Sequence, residues 1–517
     1  MLTLLLFAGC DPWDFPEGGD DHHDLLWDPA VAVLSDGVYV RLGVAGALVR
    51  VLPDGTWSEV DLDGAAPESL LASPDGSSVF VTTSWQACED DDPAIVYASD
   101  CPSSRLTTER EMVLVRDGER VGGGALDGVS AALNAAEWTA DGSLAALYLD
   151  PDNAEDVQFD GFLNLNEVTF VDGDAAVHRV PVGFAPESVL FTADNRRAVV
   201  LSRSHVAVID LATGSDGCEA WSACVTYPLT LDTDQAITPN DVVIVADGRY
   251  ALVSVESSTD LYVLDLQSES IDLLELAAAP SVMLEDTANN RTLVAYAGLA
   301  QIDVIEHEFF ELQSIEVEEP ASSGVMTPSG ALFYNDTQNS YKDVIMVDAL
   351  SGDWSEQRAE NPIIELAAGA RHAVATMRAE AASGDFYDSH DAFGIFTIAA
   401  PGTEDVPEPV ALVLESAPVG FATIEGDTAD YALLLLSGVD TILKVRLDDA
   451  SAVPIELPAP PVGIAATPGG GFVVVQDGAL GSLSFIDPAD DGVTTVTGFA
   501  TLRFAETPIL PRRAAAE

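Results

Sequence analysis

The side chains best able to do chemistry are carboxylates, crowded into three stretches that also carry aromatics. Trp85, Asp90, Asp91, Asp92 and Tyr97 form the first group, and Asp152 and Asp156 the second. Tyr387, Asp388, His390 and Asp391 form the third. Clustered oxygens suit a hard cation such as Ca²⁺, although the spacing lacks the ligand pattern and glycine of an EF-hand loop. Exposed acidic loops are the plainer alternative. Trp85, Tyr97 and Tyr387 are of the type that anchors interfaces, and equally of the type that packs a loop on itself. No Gly-x-Ser-x-Gly, phosphate loop or His-Glu-x-x-His occurs, so no catalytic residue is assigned. Beyond residue 28 the histidines are His178, His205, His307, His372 and His390; His205 and His372 fall on expected strands and read as packing or surface residues.

Five cysteines leave an even set once Cys10 is set aside: Cys88 with Cys101, and Cys218 with Cys224, are the natural local pairs. Such disulfides belong to an oxidising compartment. A metal site is the weaker reading, because no Cys-x-x-Cys is present.

Across 517 residues, 86 Asp and Glu face 21 Lys and Arg, a net charge of −65. Only Lys342 and Lys444 are lysines. That balance disfavours nucleic acid and anionic lipid headgroups as partners, and suits cations, basic partners or a salty medium. The opening run ends Phe7-Ala8-Gly9-Cys10. It resembles the end of a bacterial lipoprotein signal, Leu-Ala-Gly-Cys, with phenylalanine for leucine and no preceding basic residues. The resemblance implies lipidation of Cys10 and a cell-envelope location, periplasmic or surface-exposed. Residues 11–28 read as an acidic tether, and 506–517 as a tail.

The elements that must position these groups repeat. Residues 245–276, VADGRYALVSVESSTDLYVLDLQSESIDLLEL, hold an Asp-Gly turn followed by three alternating runs; with residues 241–245 they form a four-stranded antiparallel unit. The turn recurs at Gly37, Gly76, Gly142, Asn195, Gly248, Asn290, Gly330, Gly369, Asp430 and Gly470, in steps of 39, 66, 53, 53, 42, 40, 39, 61 and 40 residues. A floor near 40 is the length of one propeller blade. The expected fold is therefore all-β, a β-propeller over residues 29–505 with about ten repeat units and 7–10 blades. Residues 501–505 are expected to pair with the first blade and close the ring.

VAVIDLATG (206–214) and LYVLDLQSE (261–269) resemble the YVTN-type repeats of bacterial and archaeal envelope proteins. The resemblance is specific for fold and nearly silent on activity. With strands A to D running outward from the axis, the long steps place insertions between B and C in three units and between C and D in one. Long loops on a rigid scaffold are where binding concentrates. The sequence thus predicts a lipid-anchored binding or scaffolding module, with a protein or glycan partner on its loop-rich face. The alternative is a lactonase-like hydrolase or an oxidoreductase with a metal at the ring axis.

Overall fold

The computed structural model describes residues 29–500, apart from 44, 89–96, 127–132, 134, 150–164, 174, 204, 212–219, 230–237, 247, 269, 339, 380–389, 404–405, 427–428, 478–480 and 490–491. The described residues form ten four-stranded antiparallel sheets, each built from four consecutive strands. This is a β-propeller of ten blades. Blades 1 to 10 span residues 29–60, 66–125, 135–181, 186–228, 239–275, 282–316, 323–358, 363–413, 418–456 and 461–497. Two compact units divide the chain: residues 1–189 with 457–517, and residues 190–456, the boundary falling inside strand A of blade 4.

Of the ten turn residues read from the sequence, seven lie between strands A and B of their blades, and Gly37, Gly330 and Asp430 are the first residue of strand B. Eight of them, all but Gly369 and Asp430, have positive φ, which is why glycine or asparagine stands there. Blades 2, 3 and 4 share one turn chemistry. Thr139 donates its hydroxyl to Asp141 at 2.8 Å and accepts from Leu144 N at 3.0 Å, while Ser143 N donates to Asp141 at 3.0 Å. Ser73 with Asp75, and Thr192 with Asp194, repeat the arrangement. A side-chain carboxylate thus replaces a backbone acceptor and fixes the hairpin.

Alternation of side chains along each strand feeds two cores, one on either face of the sheet. In blade 5, Ala251 and Val253 pack with Val199, Leu201, Val206 and Val208 of blade 4. The intervening Leu252 packs the opposite way, with Met283, Val294 and Ile305 of blade 6. Fully burying one such side chain is worth about 1.5–3 kcal/mol, so a blade without neighbours would forfeit most of its stabilisation. In the first unit the last blade meets the first: Val473, Val475 and Leu483 of blade 10, with Phe499 just after it, share a core with Val38, Val40 and Val49 of blade 1. Blades 1 and 10 each build four strands from their own segment. Residues 501–505, expected to close the ring, lie outside the described residues.

Strand A carries a recurring register shift. It falls at Pro67/Ser69, Pro239/Asp241, Ile363/Glu365, Pro418/Gly420 and Pro461/Gly463. Proline lacks the donor a central strand would need, and a bulge spoils an edge for further pairing. Four of the five shifts begin at proline, so the free edge of these blades is blunted against adding another strand.

Candidate functional site

The insertion of blade 2 continues the sheet as a tall hairpin. Strand B runs Val79–Cys88 and strand C Leu106–Arg116, ten and eleven residues against the usual five or six. Pairing persists from Val79 opposite Val115 up to Cys88 opposite Leu106. At the top, Cys88 and Cys101 form a disulfide with a Cα separation of 6.0 Å. Within the closed loop, Tyr97 N donates to Asp100 Oδ2 at 3.1 Å and Asp100 N to Tyr97 O at 2.9 Å. The base is anchored as well, with Arg110 Nε 3.1 Å from Glu68 Oε2 on strand A.

The two aromatics of this loop have different fates. Tyr97 is 39% exposed, at the outer end of the hairpin. Trp85 is 6% exposed and packs with Ala65 and Ala87. Its indole fills the hairpin foot, so self-packing rather than display describes Trp85. Asp90, Asp91 and Asp92 lie outside the described residues, as do Asp152, Asp156, Tyr387 and Asp388.

In blade 3 the insertion follows strand B (Leu144–Tyr148) and precedes strand C (Glu167–Asp172), again between B and C. Its exit is tied down: Val182 N donates to Asn166 O at 2.8 Å and Ala185 N to Leu165 O at 2.7 Å. Blades 2 and 3 adjoin through Phe80 and Trp138, stacked at 5.0 Å, and a shared aliphatic core.

The blade 8 insertion, in the second unit, lies between His372–Met377 and Ala392–Thr397. Its neck is clamped. The fully buried Asn361 donates Nδ2 to His390 O at 3.0 Å and to Arg378 O at 3.3 Å. Asp391 Oδ1 accepts from Ala379 N at 2.8 Å. In this position Asp391 closes a loop, and the His390 backbone does the same. The remaining insertion separates strands C and D of blade 4; Cys224 there is disulfide-bonded, and its expected partner Cys218 lies outside the described residues.

Several charged groups invisible to motif reading are set by contacts between segments. Glu111, on strand C of blade 2, is buried and paired with Arg120 through both guanidinium nitrogens at 2.8 and 3.1 Å. Asp430, read as a turn residue, is a buried hub that binds Arg371 through both its carboxylate oxygens and His372 Nδ1 at 2.9 Å. His307 is 3% exposed, with Nε2 2.9 Å from Thr292 Oγ1; burial and the nearby Arg291 push its pKa down to about 4, against the opposing pull of Glu306 and Asp286. Asp241 moves the other way, up to about 6, because burial outweighs the hydrogen bonds from Val242 N and Met283 N. Among the described residues no group of three or more His, Cys, Asp or Glu is placed to hold a metal ion, and no helix is long and apolar enough to cross a membrane.

No protein-family model matches the chain, and no curated protein matches it. Solved structures similar to it include dihydro-heme d1 dehydrogenase NirN, at 13% identity over 72% of this chain and 80% of that one, with a TM-score of 0.40. Another is hydrazine synthase of Kuenenia stuttgartiensis, at 14% identity over 60% and 95%, TM-score 0.34. A third is PorZ, a surface component of the type-IX secretion system of Porphyromonas gingivalis, at 12% identity over 83% and 59%, TM-score 0.32. These are distant likenesses, and the fold assignment rests on the ten sheets themselves.

Proposed function

We infer that this protein is an exported binding or scaffolding propeller, tethered to the cell envelope through a lipid on Cys10. It engages a protein or glycan partner through the B–C loops of blades 2 and 3. The observation that carries this reading is the blade 2 hairpin. A sheet extended by several residue pairs, closed by a disulfide and braced at its foot, holds Tyr97 out from the blade at little conformational cost. The adjoining blade inserts its own loop at the same connection. A disulfide also supports an oxidising compartment, which agrees with the signal-like opening and the YVTN-type resemblance.

The test is a cross-linking pull-down from the native envelope, with the intact protein and with variants in which each of these loops is replaced by a short turn. A defined partner captured by the intact chain and lost on trimming blade 2 or 3 supports the reading. Equal capture by all forms refutes it. Cys10→Ser should shift the protein from the membrane to the soluble fraction; if it stays with the membrane, the lipid tether is wrong.

A further inference from the structure

The blade 2 sheet has a step in it. Strands B and C stay paired over ten consecutive positions, from Val79 opposite Val115 to Cys88 opposite Leu106, with no shift of register. Strand D (Glu119–Ala125) follows strand C only as far as Glu111, opposite Ala125. One further bond, from Leu126 N to Arg110 O at 3.0 Å, ends the fourth row. The chain then turns away, because Leu126 is buried with Ala145, Leu147 and Val171 of blade 3. Gly124 lies so close to Ala175 O of blade 3 that a β-carbon there has no room, so strand D is seated on blade 3 up to its end. Residues 106–109 of strand C therefore have strand B on one side and, among the described residues, no strand on the other.

The pairing pattern decides which backbone groups face the gap. In an antiparallel sheet, successive residues turn their N–H and C=O to opposite sides. Arg110 O points to strand D, so Thr108 and Leu106 turn their backbone the same way. Each supplies one donor and one acceptor, spread along about 13 Å of strand. Thr108 is exposed and Leu106 half-buried. The inner edge of the same hairpin differs, because Ala65, the residue before strand A, packs there against Trp85 and Ala87. The outer edge carries neither proline nor bulge, the devices that guard strand A in blades 2, 5, 9 and 10.

We propose that this edge takes up an extended segment of a partner protein, about four or five residues long, which lies end to end with strand D as the missing part of the fourth row. This mode of binding rests on the reading of the blade 2 hairpin as a binding element, and it makes the partner a protein rather than a glycan. Donors and acceptors that recur at every second residue match another extended backbone. The disulfide between Cys88 and Cys101 closes the upper end, so the template is held in strand form before the partner arrives. Partner residues whose N–H faces strand C cannot be proline. An apolar or β-branched side chain opposite Leu106 adds a cross-strand contact. A second copy of the chain brings the same charge of −65 to this edge and is disfavoured.

The test uses the full chain and two synthetic hexapeptides of alternating valine and threonine, one with ordinary amides and one N-methylated throughout. With the first peptide in excess, hydrogen exchange read by mass spectrometry should slow at least about tenfold over residues 106–109; the second should have no effect. Thr108→Pro should abolish the slowing, because the outward N–H is gone while the bonds to strand B come from the alternate residues. Thr108→Val, which keeps the backbone, should retain it. An unchanged melting temperature checks the fold of the proline variant, and the N-methylated peptide probes the wild-type chain with no substitution at all. No slowing at 106–109, slowing by both peptides, or slowing confined to the outer strands D overturns the proposal. Self-association in sedimentation that Thr108→Pro abolishes would make a second copy the occupant and overturn it as well. In the envelope pull-down, a partner lost on trimming blade 2 but kept by Thr108→Pro refutes strand addition and leaves the proposed function standing. Slowing at 106–109 with capture insensitive to trimming does the reverse.

Discussion

Replacing His307 by glutamine should make stability less sensitive to acid, by an amount that follows from burial. The native ring is enclosed, with Nε2 on the Thr292 hydroxyl and no hydrogen-bond partner at Nδ1. Its pKa is pushed down to about 4, against about 6.5 in an unfolded chain. A histidine that resists protonation when folded contributes stability in full above pH ~6.5, and loses it as pH falls toward ~4, because the unfolded chain binds the proton first. Across that window the loss approaches about 3 kcal/mol as an upper bound, and at pH 4.5 it is about 2.5 kcal/mol. Urea unfolding of wild type and His307→Gln at pH 7.5 and 4.5 measures it, since titrations common to both proteins cancel in the difference. The stability gap between wild type and variant should shrink or invert by about 2 kcal/mol at the lower pH. In histidine-labelled NMR spectra, the resonance missing from the variant should titrate near 4. A gap independent of pH, or a midpoint near 6.5, would refute the claim that this imidazole is buried neutral.

Asp241 tests the same logic with the opposite sign. Its raised pKa means that folding favours the protonated form, so stability falls as pH rises from ~4 to ~6, and Asp241→Asn should stabilise the protein at pH 7.5 by up to about 3 kcal/mol, read by urea unfolding. Glu111→Ala should cost about 2 kcal/mol by taking from Arg120 its buried partner and leaving it the exposed Asp63 at 3.2 Å, whereas Glu111→Met with Arg120→Leu should recover most of that loss; no recovery would mean the pair is not desolvated. Removing the blade 2 disulfide by Cys88→Ser and Cys101→Ser should cost up to about 3 kcal/mol by the chain-entropy model for a closure of this length, with faster proteolysis confined to the hairpin. Cleavage spread evenly over the chain would show that the bridge supports more than its own loop.

The ten repeat units were legible, with the blade number left between 7 and 10, because each unit announces its first hairpin locally. In eight of the ten units the residue read at this turn takes positive φ, and Asp, Asn or Gly, as at Gly76, Gly142 and Asn195, signals it within four residues. The side of each insertion followed from the same count, since the strands flanking it belong to one repeat. What escaped was set by distant contacts. Strands B and C of blade 2 continue to Cys88 and Leu106, well past the usual strand length, because they pair with each other and a disulfide holds their ends. Trp85 is buried by Ala65, which precedes strand A of the blade, and nothing beside Trp85 in the sequence announces that contact. Asp430 resembled other turn carboxylates, but its partners Arg371 and His372 arrive from the blade before it. The prolines at Pro67, Pro239, Pro418 and Pro461 sit at bulged edges, a role that shows only in the pairing of strand A with strand B.

The binding claim is tested most directly by placing a photo-cross-linking amino acid at Tyr97, on the disulfide-closed hairpin, and at Val493, an exposed residue on strand D of blade 10 in the same unit. Illumination in the native envelope should give one discrete adduct from position 97 and none from 493, with the adduct lost when Cys88 and Cys101 are both serine. Adducts of equal yield from both positions, or none from position 97, would contradict the assignment of this edge as the binding surface.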